Sequence, residues 1–369
     1  MATIKDVARL AGVAPTAVSH ALSGKRPVAP KTREAILAAV RELNYHPNVN
    51  AFSLSAHTTK RICLAVPVSP QTRATSKVPS FDFIAGVADR LSHHAFALVC
   101  EMSHGLDAGG LLELVRSRHV DGTLLLGTQL DDARVEALSK ESAPFVTFGR
   151  TRHPSQFVRV DADIAGAAEI AAEYLFGLGH EQIGLVLPVV DGAPVLGTHY
   201  HAMVGFKRAH SALGVQLRRN QIMTYSPTEG LRESIRPVLL RRTEVTALIA
   251  AGNDLEAVTI LRALTEHGLR VPEDISLISL MDSPLTQMAQ PSITVTDLPV
   301  TEMCNLAVDL LVDMIAGRKP RQLEHLLPVT LIERPSTRRI GPSLYHNAVG
   351  LAGPFGKVRP GDAIPRTGT

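Results

Sequence analysis

The sequence predicts a small all-α helix-turn-helix head joined by a hinge helix to a two-lobed α/β body with parallel sheets. Three observations carry that expectation. The first sixty residues show helical apolar spacing punctuated by Gly12, Pro15, Pro30 and Pro47. From Arg61 onward, short apolar runs alternate with amphipathic stretches. The formal net charge, only +3 over 369 residues, is unevenly spread: nine basic against three acidic side chains in residues 1–61, 23 against 31 in residues 62–333, and six against one in residues 334–369. A basic head on an acidic body is the asymmetry expected when one small domain touches a polyanion. A solvated basic tail has the same charge, so charge alone does not decide.

Composition excludes several classes. A chain 45% hydrophobic and 20% charged is not wholly disordered. No run approaches the ~18 consecutive apolar residues of a membrane span. The start, Met1-Ala2-Thr3-Ile4-Lys5-Asp6, lacks the apolar stretch of a secretory signal. Cys63, Cys100 and Cys304 are odd in number and far apart, which suggests neither a disulfide framework nor a zinc site. No phosphate loop, Gly-x-Ser-x-Gly elbow, His-Glu-x-x-His or Cys-x-x-Cys occurs. His199 and His201 have His-x-His spacing but no adjoining Cys or acid of metal-site type, and read as a solvated or cleft-lining pair. The expectation is a cytoplasmic, non-enzymatic protein with no cofactor and no membrane partner.

In the head, residues 1–47, Ile4, Val7, Ala8 and Ala11 recur at helical spacing until Gly12 stops the run. A second helix begins at Pro15, whose missing N–H suits a first turn. Val18, Ala21 and Leu22 form its apolar stripe and leave Thr16, Ser19, His20 and Ser23 outward. A third helix follows Pro30, with Thr32, Ile36, Leu37, Val40 and Leu43 on one side, and Pro47 ends it. Two short helices across a Gly turn with a closing third make a helix-turn-helix unit. Thr16 and His20 lie four apart at the start of the second helix, where side chains reach base edges in a major groove. A three-helix protein-binding module with a solvated polar face has the same pattern.

Residues 48–60 form the hinge and linker. Asn48 to Ser55 suffice for two helical turns at most, too short to be stable alone in water, so they order only against a partner. Leu54 is a hydrophobic liability there unless it inserts between base steps of a minor groove. The plainer reading is a linker with one Leu resting on the body.

The ordered string Thr3-Ile4-Lys5-Asp6-Val7-Ala8, Ala11-Gly12-Val13, Val18-Ser19-His20, Leu22-Ser23-Gly24, Thr32-Arg33, Leu43-Asn44-Tyr45, Pro47-Asn48 and Ser53-Leu54 resembles the signature of lactose-repressor-type (LacI/GalR family) transcription regulators. The likeness continues at family spacing to about Thr337. It implies a homodimeric repressor on a double-stranded, near-palindromic DNA operator, modulated by a small molecule, a sugar or related metabolite. It assigns base readout to Pro15, Thr16 and His20, and phosphate contacts to Thr3, Ser19, Ser23, Arg26 and Tyr45. Leu54, flanked by Ser53 and Ser55, takes the minor-groove wedge. Ala14 and Ala17 stand where the family usually has Ser and Thr, and Phe52 where it commonly has Arg. A DNA-binding regulator without an effector, or a sensor whose head binds protein, are the rival readings.

The body, residues 61–339, reads as strands alternating with helices: Ile62–Val66, Phe81–Ala95, Phe96–Cys100, Leu111–Arg118, Gly122–Leu126, Asp132–Ser139 and Phe145–Phe148. A second set follows: Ile164–Leu178, Ile183–Leu187, His201–Leu213, Ile222–Tyr225, Leu231–Leu240, Ala247–Ala250, Leu255–His267 and Ser276–Leu280. Such alternation builds doubly wound parallel sheets that bind ligands at strand carboxyl ends, and two sets suggest two lobes with a cleft. The resemblance implies a periplasmic-binding-protein-like body whose chain crosses between lobes near 159–162, 288–292 and 320–324. That makes lobe 1 residues 61–160 and 291–321, with the helix Glu302–Ile315. Lobe 2 is then residues 161–290 and 322–339, with Leu326–Ile332 as its last strand.

For the cleft, the resemblance implies Phe81, Arg150, Thr198, His201, Tyr225, Asn253, Met281 and Asp282 as effector contacts. Asn253 also reads as a helix cap, Tyr225 as a surface aromatic, and Arg150 as half of a cross-cleft ion pair. Two polar anchors of relatives are absent, with Ala202 and Met281 in their places, which counts against a usual polyhydroxylated sugar because unpaired buried hydroxyls are costly. The segment Val68–Ser80 reads as a cleft cover or a surface insertion, and the Gly/Pro-rich stretch 340–369 as a disordered basic tail.

Overall fold

A computed structural model of the chain describes residues 2–23, 27–45, 58–66, 81–102, 108–141, 143–152, 156–190, 193–194, 196–226 and 230–342. The head comprises α1 (Ile4–Leu10), α2 (Pro15–Ser23) and α3 (Pro30–Glu42). At the start of α1 the Asp6 carboxylate accepts from the Thr3 N–H at 2.9 Å and the Thr3 hydroxyl at 2.6 Å. This closes an otherwise orphaned donor. Gly12, at φ 63°, makes the turn into α2 without a Cβ penalty. Val7, Ala8, Val18, Ala21, Ile36 and Ala39 form the head's core, with Leu22, Val40, Leu43 and Tyr45 packed on it. Leu37, expected on that face, is instead 36% exposed. It sits about 100° round the helix from Ile36, and Ile36 takes the core position.

The body has two sheets. The first contains β1 (Arg61–Ala65), β2 (Ala97–Glu101), β3 (Gly122–Leu125), β4 (Phe145–Phe148), β5 (Val158–Ala162) and β12 (Glu324–Leu327), in the order β12-β5-β4-β3-β1-β2. All its pairings are parallel. Around it lie α4 (Phe81–His93), α5 (Ala108–Arg116), α6 (Ala133–Ser139) and α13 (Val300–Ile315). The second sheet orders β13 (Thr330–Ile332), β11 (Thr294–Asp297), β10 (Ser276–Ser279), β9 (Ala247–Ala250), β6 (Ile183–Val190) and β7 (Ala193–Pro194), with β8 (Ile222–Tyr225) paired to β6. Its helices are α7 (Ile164–Gly177), α8 (Gly197–Ala212), α9 (Leu231–Ser234), α10 (Arg236–Leu239), α11 (Asp254–Glu266) and α12 (Pro284–Met288).

Several expectations are corrected. The crossing expected near 159–162 falls at the end of that range, because residues 158–162 form β5, a fully buried strand of the first sheet. The strand expected over Leu326–Ile332 is two strands in different sheets: β12 runs parallel to β5, and β13 antiparallel to β11. Pro328 lies between them and has no N–H to continue a ladder. Residues 294–297, expected within lobe 1, form β11, which pairs with β10 in the second sheet. The chain therefore passes between sheets after Ala162, after Asp297 and after Leu327. The single helix expected at 231–240 is two one-turn helices, because Pro237 offers no N–H to the Glu233 carbonyl. Helix α8 begins four residues earlier than expected, at Gly197.

The core is continuous across both lobes. Ile62, Leu64, Leu124 and Val146 of the first sheet join, through α13 and α7, to Ile249, Ile278 and Phe206 of the second lobe. Helices α7 and α8 approach closely at Gly205, where a Cβ would stand 1.9 Å from the Ala165 carbonyl oxygen.

Candidate DNA-reading face and interlobe site

Burial of Val18 and Ala21 turns the opposite side of α2 outward, with Pro15 and Thr16 exposed and Ser19 and His20 half-buried. Thr16 and His20 thus share one helix face a turn apart. Two residues expected at phosphates already have work inside the head: the Thr3 hydroxyl donates to Asp6, and Tyr45 packs on the core. Arg26, Ser53, Leu54 and Ser55, the Ser23 side chain, residues 68–80 and the stretch beyond 342 lie outside the described residues.

In the body, the carboxyl ends of the strands bring polar groups together where the lobes meet. Arg150 follows β4 and donates from Nε to Asp161 Oδ2, at the end of β5, at 2.8 Å. The two side chains are 15% and 5% exposed. The buried Nη2 of Arg150 and the buried Nε2 of His201, on α8, find no partner among the described residues. Burial pushes the Asp161 carboxyl up to about 6 even though Arg150 opposes the shift. Burial and the Arg150 charge bring the His201 imidazole down to about 4. Glu324 of β12 ties Arg159 of β5 at 2.8 Å.

The lobes also touch through backbone. The Gly197 N–H, at the start of α8, donates to the Thr128 carbonyl of the first lobe at 3.2 Å. A Cβ on Gly197 would stand 2.3 Å from the Arg150 carbonyl oxygen. Thr128 is held in turn by its hydroxyl on the Phe148 carbonyl at 2.7 Å. Arg134 shapes the same loop, donating to the Leu126 and Gly127 carbonyls, each at 3.1 Å, and to both oxygens of Asp132.

Thr198 is half-buried in the first turn of α8, and Phe81 is 76% exposed at the start of α4. Asn253 caps α11, accepting from the Glu256 N–H at 2.9 Å. Tyr225 is no surface aromatic: it is 6% exposed in the second lobe's core, and its hydroxyl donates to Glu256 at 2.5 Å. Burial, then the neighbouring Glu256 charge, push that phenol far up. Met281 is half-buried. Asp282 is engaged within its own lobe, accepting from Arg334 at 2.8 and 2.7 Å, from the Thr286 hydroxyl at 2.8 Å and from Gln287 at 3.1 Å. Burial raises its carboxyl, but Arg334 and Thr286 outweigh that and hold it below the usual carboxylate range. Ala202 is fully buried. Sequence reasoning missed Asp161, Glu256 and Arg334, whose partners lie on other elements, and Asp132, whose buried pairing with Arg134 is local; the period-2 pattern of Val158-Arg159-Val160 was the one local sign of β5.

The His201 shift gives a pH test. Between pH about 4 and 6.5 the folded protein releases a proton that the unfolded chain keeps, so this group's stabilising effect is present at neutral pH and lost as pH falls through that window. His201→Gln should therefore gain thermal stability relative to the parent as pH drops from 7.5 to 4.5. A constant difference in melting temperature over that range would contradict the buried, neutral imidazole.

A three-helix head offering its second helix, followed by two parallel-dominated lobes with polar groups gathered where they meet, defines a DNA-binding regulator carrying a ligand-sensing body. Residues 3–48 match the bacterial regulatory proteins of the lacI family, and residues 172–337 match a periplasmic binding protein-like domain. The chain belongs to the LacI family of transcriptional regulators. It is 31% identical over 325 residues to the HTH-type transcriptional repressor PurR of Haemophilus influenzae, covering 86% of this chain and 92% of that one. It is 30% identical over 339 residues to the HTH-type transcriptional regulator CelR of Thermobifida fusca, covering 90% and 98%. Among solved structures, a transcriptional regulator CelR–cellobiose complex superposes with a TM-score of 0.68 at 28% identity, over 91% of this chain and 100% of that one. The lac repressor dimer bound to operator and the anti-inducer ONPF shares the fold with a TM-score of 0.78 at 22% identity, over 91% and 99%.

Proposed function

We propose that this protein is a transcriptional repressor that binds a near-palindromic operator as a homodimer and responds to a small metabolite held between its lobes. The observation that carries the proposal is the head: α2 presents Thr16 and His20 on one outward face while Val18 and Ala21 anchor its back. Effector occupancy acts by population shift, favouring one relative setting of the lobes and so changing operator affinity by a coupling of typically ~1–3 kcal/mol. The buried, unpartnered Arg150 Nη2 and His201 Nε2 support a hydrogen-bonding ligand at the lobe junction.

Leu255, Leu285 and Met288, 37%, 42% and 71% exposed on the mutually packed helices α11 and α12, support self-association. Leu285→Asp with Met288→Asp should convert the dimer to monomer in sedimentation, and a variant that stays dimeric would remove this surface from the interface. Salt-dependent gel shifts on DNA flanking the protein's own gene test the function itself; no shift at low salt, with or without metabolites, sinks it. His20→Ala should relax preference at one position of each half-site by roughly 1–3 kcal/mol, and unchanged preference would take His20 off the list of readers.

A second reading, a regulator with no small effector, draws support from the engagement of Asp282 with Arg334 and the burial of Ala202. A thermal-shift screen of sugars and related metabolites separates the two, because a ligand of the native state raises its apparent stability.

A further inference from the structure

Because every pairing in the first sheet is parallel, its strands start along one edge. The segments leading into them, with each strand's first residue, carry Lys60, Arg61, Arg118, Lys140, Arg318, Lys319 and Arg321, against Asp121, Glu141 and Glu324. Some of these charges are already neutralised. Lys140 pairs with Glu136, Arg318 with Asp313, and Arg116 with Glu141. Asp121 accepts from the Thr58 and Thr59 hydroxyls and from the Thr59 and Lys60 N–H groups. Arg118, Lys319 and Arg321 are exposed and have no acidic partner among the described residues. At the opposite edge, where the strands end, the acids Asp131, Asp132 and Asp161 are paired with Arg152, Arg134 and Arg150, and Glu101 and Asp163 stand beside them.

The chain enters the body from the head at this basic edge. The head is described to Tyr45 and the body from Thr58, and the intervening chain spans at most ~45 Å fully extended. Duplex held by the head is therefore within reach of the edge. From the start of β12 to the start of β1 the sheet steps across four strand spacings, about 19 Å. That length matches about five to six base pairs of duplex.

We infer that this edge is a second DNA contact, in which Arg118, Lys319 and Arg321 engage phosphates of the duplex flanking the stretch read by the head. The inference rests on the head's binding DNA. The contact carries no base preference, since three long side chains on exposed loops meet only backbone oxygens. It adds affinity through counterion release, so its signature is salt dependence.

The test uses the full chain and two duplexes: the minimal operator, and the same operator extended by ten base pairs on each side. The variant combines Arg118→Gly, Lys319→Gln and Arg321→Gln. Arg118 sits at φ 54°, a backbone conformation that glycine adopts at less cost, so this substitution suits the local fold. On the extended duplex the wild type should show a log K against log salt slope steeper than the variant's by about 5, from three contacts in each of two protomers at ~0.9 per phosphate contact. Between 50 and 200 mM salt, that slope means the wild type loses on the order of 1,000-fold more of its affinity than the variant. On the minimal operator the two should coincide. Equal slopes on the extended duplex overturn the contact, and equal losses on both duplexes overturn its placement in the flanks. If the wild type binds neither duplex, the reading of the head fails and the edge contact with it.

Discussion

Gly205→Ala should destabilise the body by about 3 kcal/mol or more, seen as a lower urea midpoint at unchanged slope. The added Cβ would lie 1.9 Å from the Ala165 carbonyl oxygen and 2.6 Å from its carbon. Both are backbone atoms of α7, so no rotamer change relieves the contact and the helices must separate. Buried Ala167, Ala168, Ala202 and Phe206 would part with them. Intrinsic preference runs the other way, since Ala is about 1 kcal/mol more favourable than Gly within a helix. Gly110→Ala in α5 isolates that preference, because nothing stands within 4 Å of the new Cβ. It should be neutral or slightly stabilising. Similar losses at the two positions would refute the close approach of α7 and α8.

Arg134→Met should cost about 3–5 kcal/mol, the range for removing one partner of a buried ion pair. The side chains of Arg134 and Asp132 are 4% and 0% exposed, so the abandoned carboxylate has no water to turn to. The Leu126 and Gly127 carbonyls lose their donor in the same step. Asp132 also caps α6 and accepts from the Gln129 N–H. Adding Asp132→Asn, which keeps an acceptor for the cap but removes the charge, should therefore recover part of the loss. No recovery would mean that the buried charge is not the main cost. The loop held by Arg134 presents the Thr128 carbonyl to Gly197 of the other lobe. Any metabolite that stabilises the wild type should accordingly protect this variant less, even when stabilities are compared well below the melting temperature.

Much of the fold was legible because its information is local. Apolar spacing, Pro15, Pro30 and Gly12 mark the three head helices, and most body elements appear where short apolar runs meet amphipathic ones. Strand β5 escaped notice because Arg159 and Asp161 look like surface residues. They are buried at 8% and 4% exposure because Glu324 and Arg150 reach them. Tyr225 and Asp282 stand near strand ends, where a ligand contact would be, yet their polar atoms are directed to Glu256 and Arg334. Strand ends can be counted along the chain; the partner a side chain finds there cannot.

By itself, the sequence determined the class of this protein: a helix-turn-helix head with two potential readers, Thr16 and His20, ahead of an alternating α/β body, because each is set by periodicity and turn residues within a few positions. Only the tertiary structure decided where the chain passes between lobes, which sheet claims β11 and β12, and which charges lie paired at the lobe junction. Those outcomes depend on contacts between residues such as Arg159 and Glu324, which are 165 positions apart. Burying a charge is tolerable only when such a distant partner arrives in hydrogen-bonding geometry.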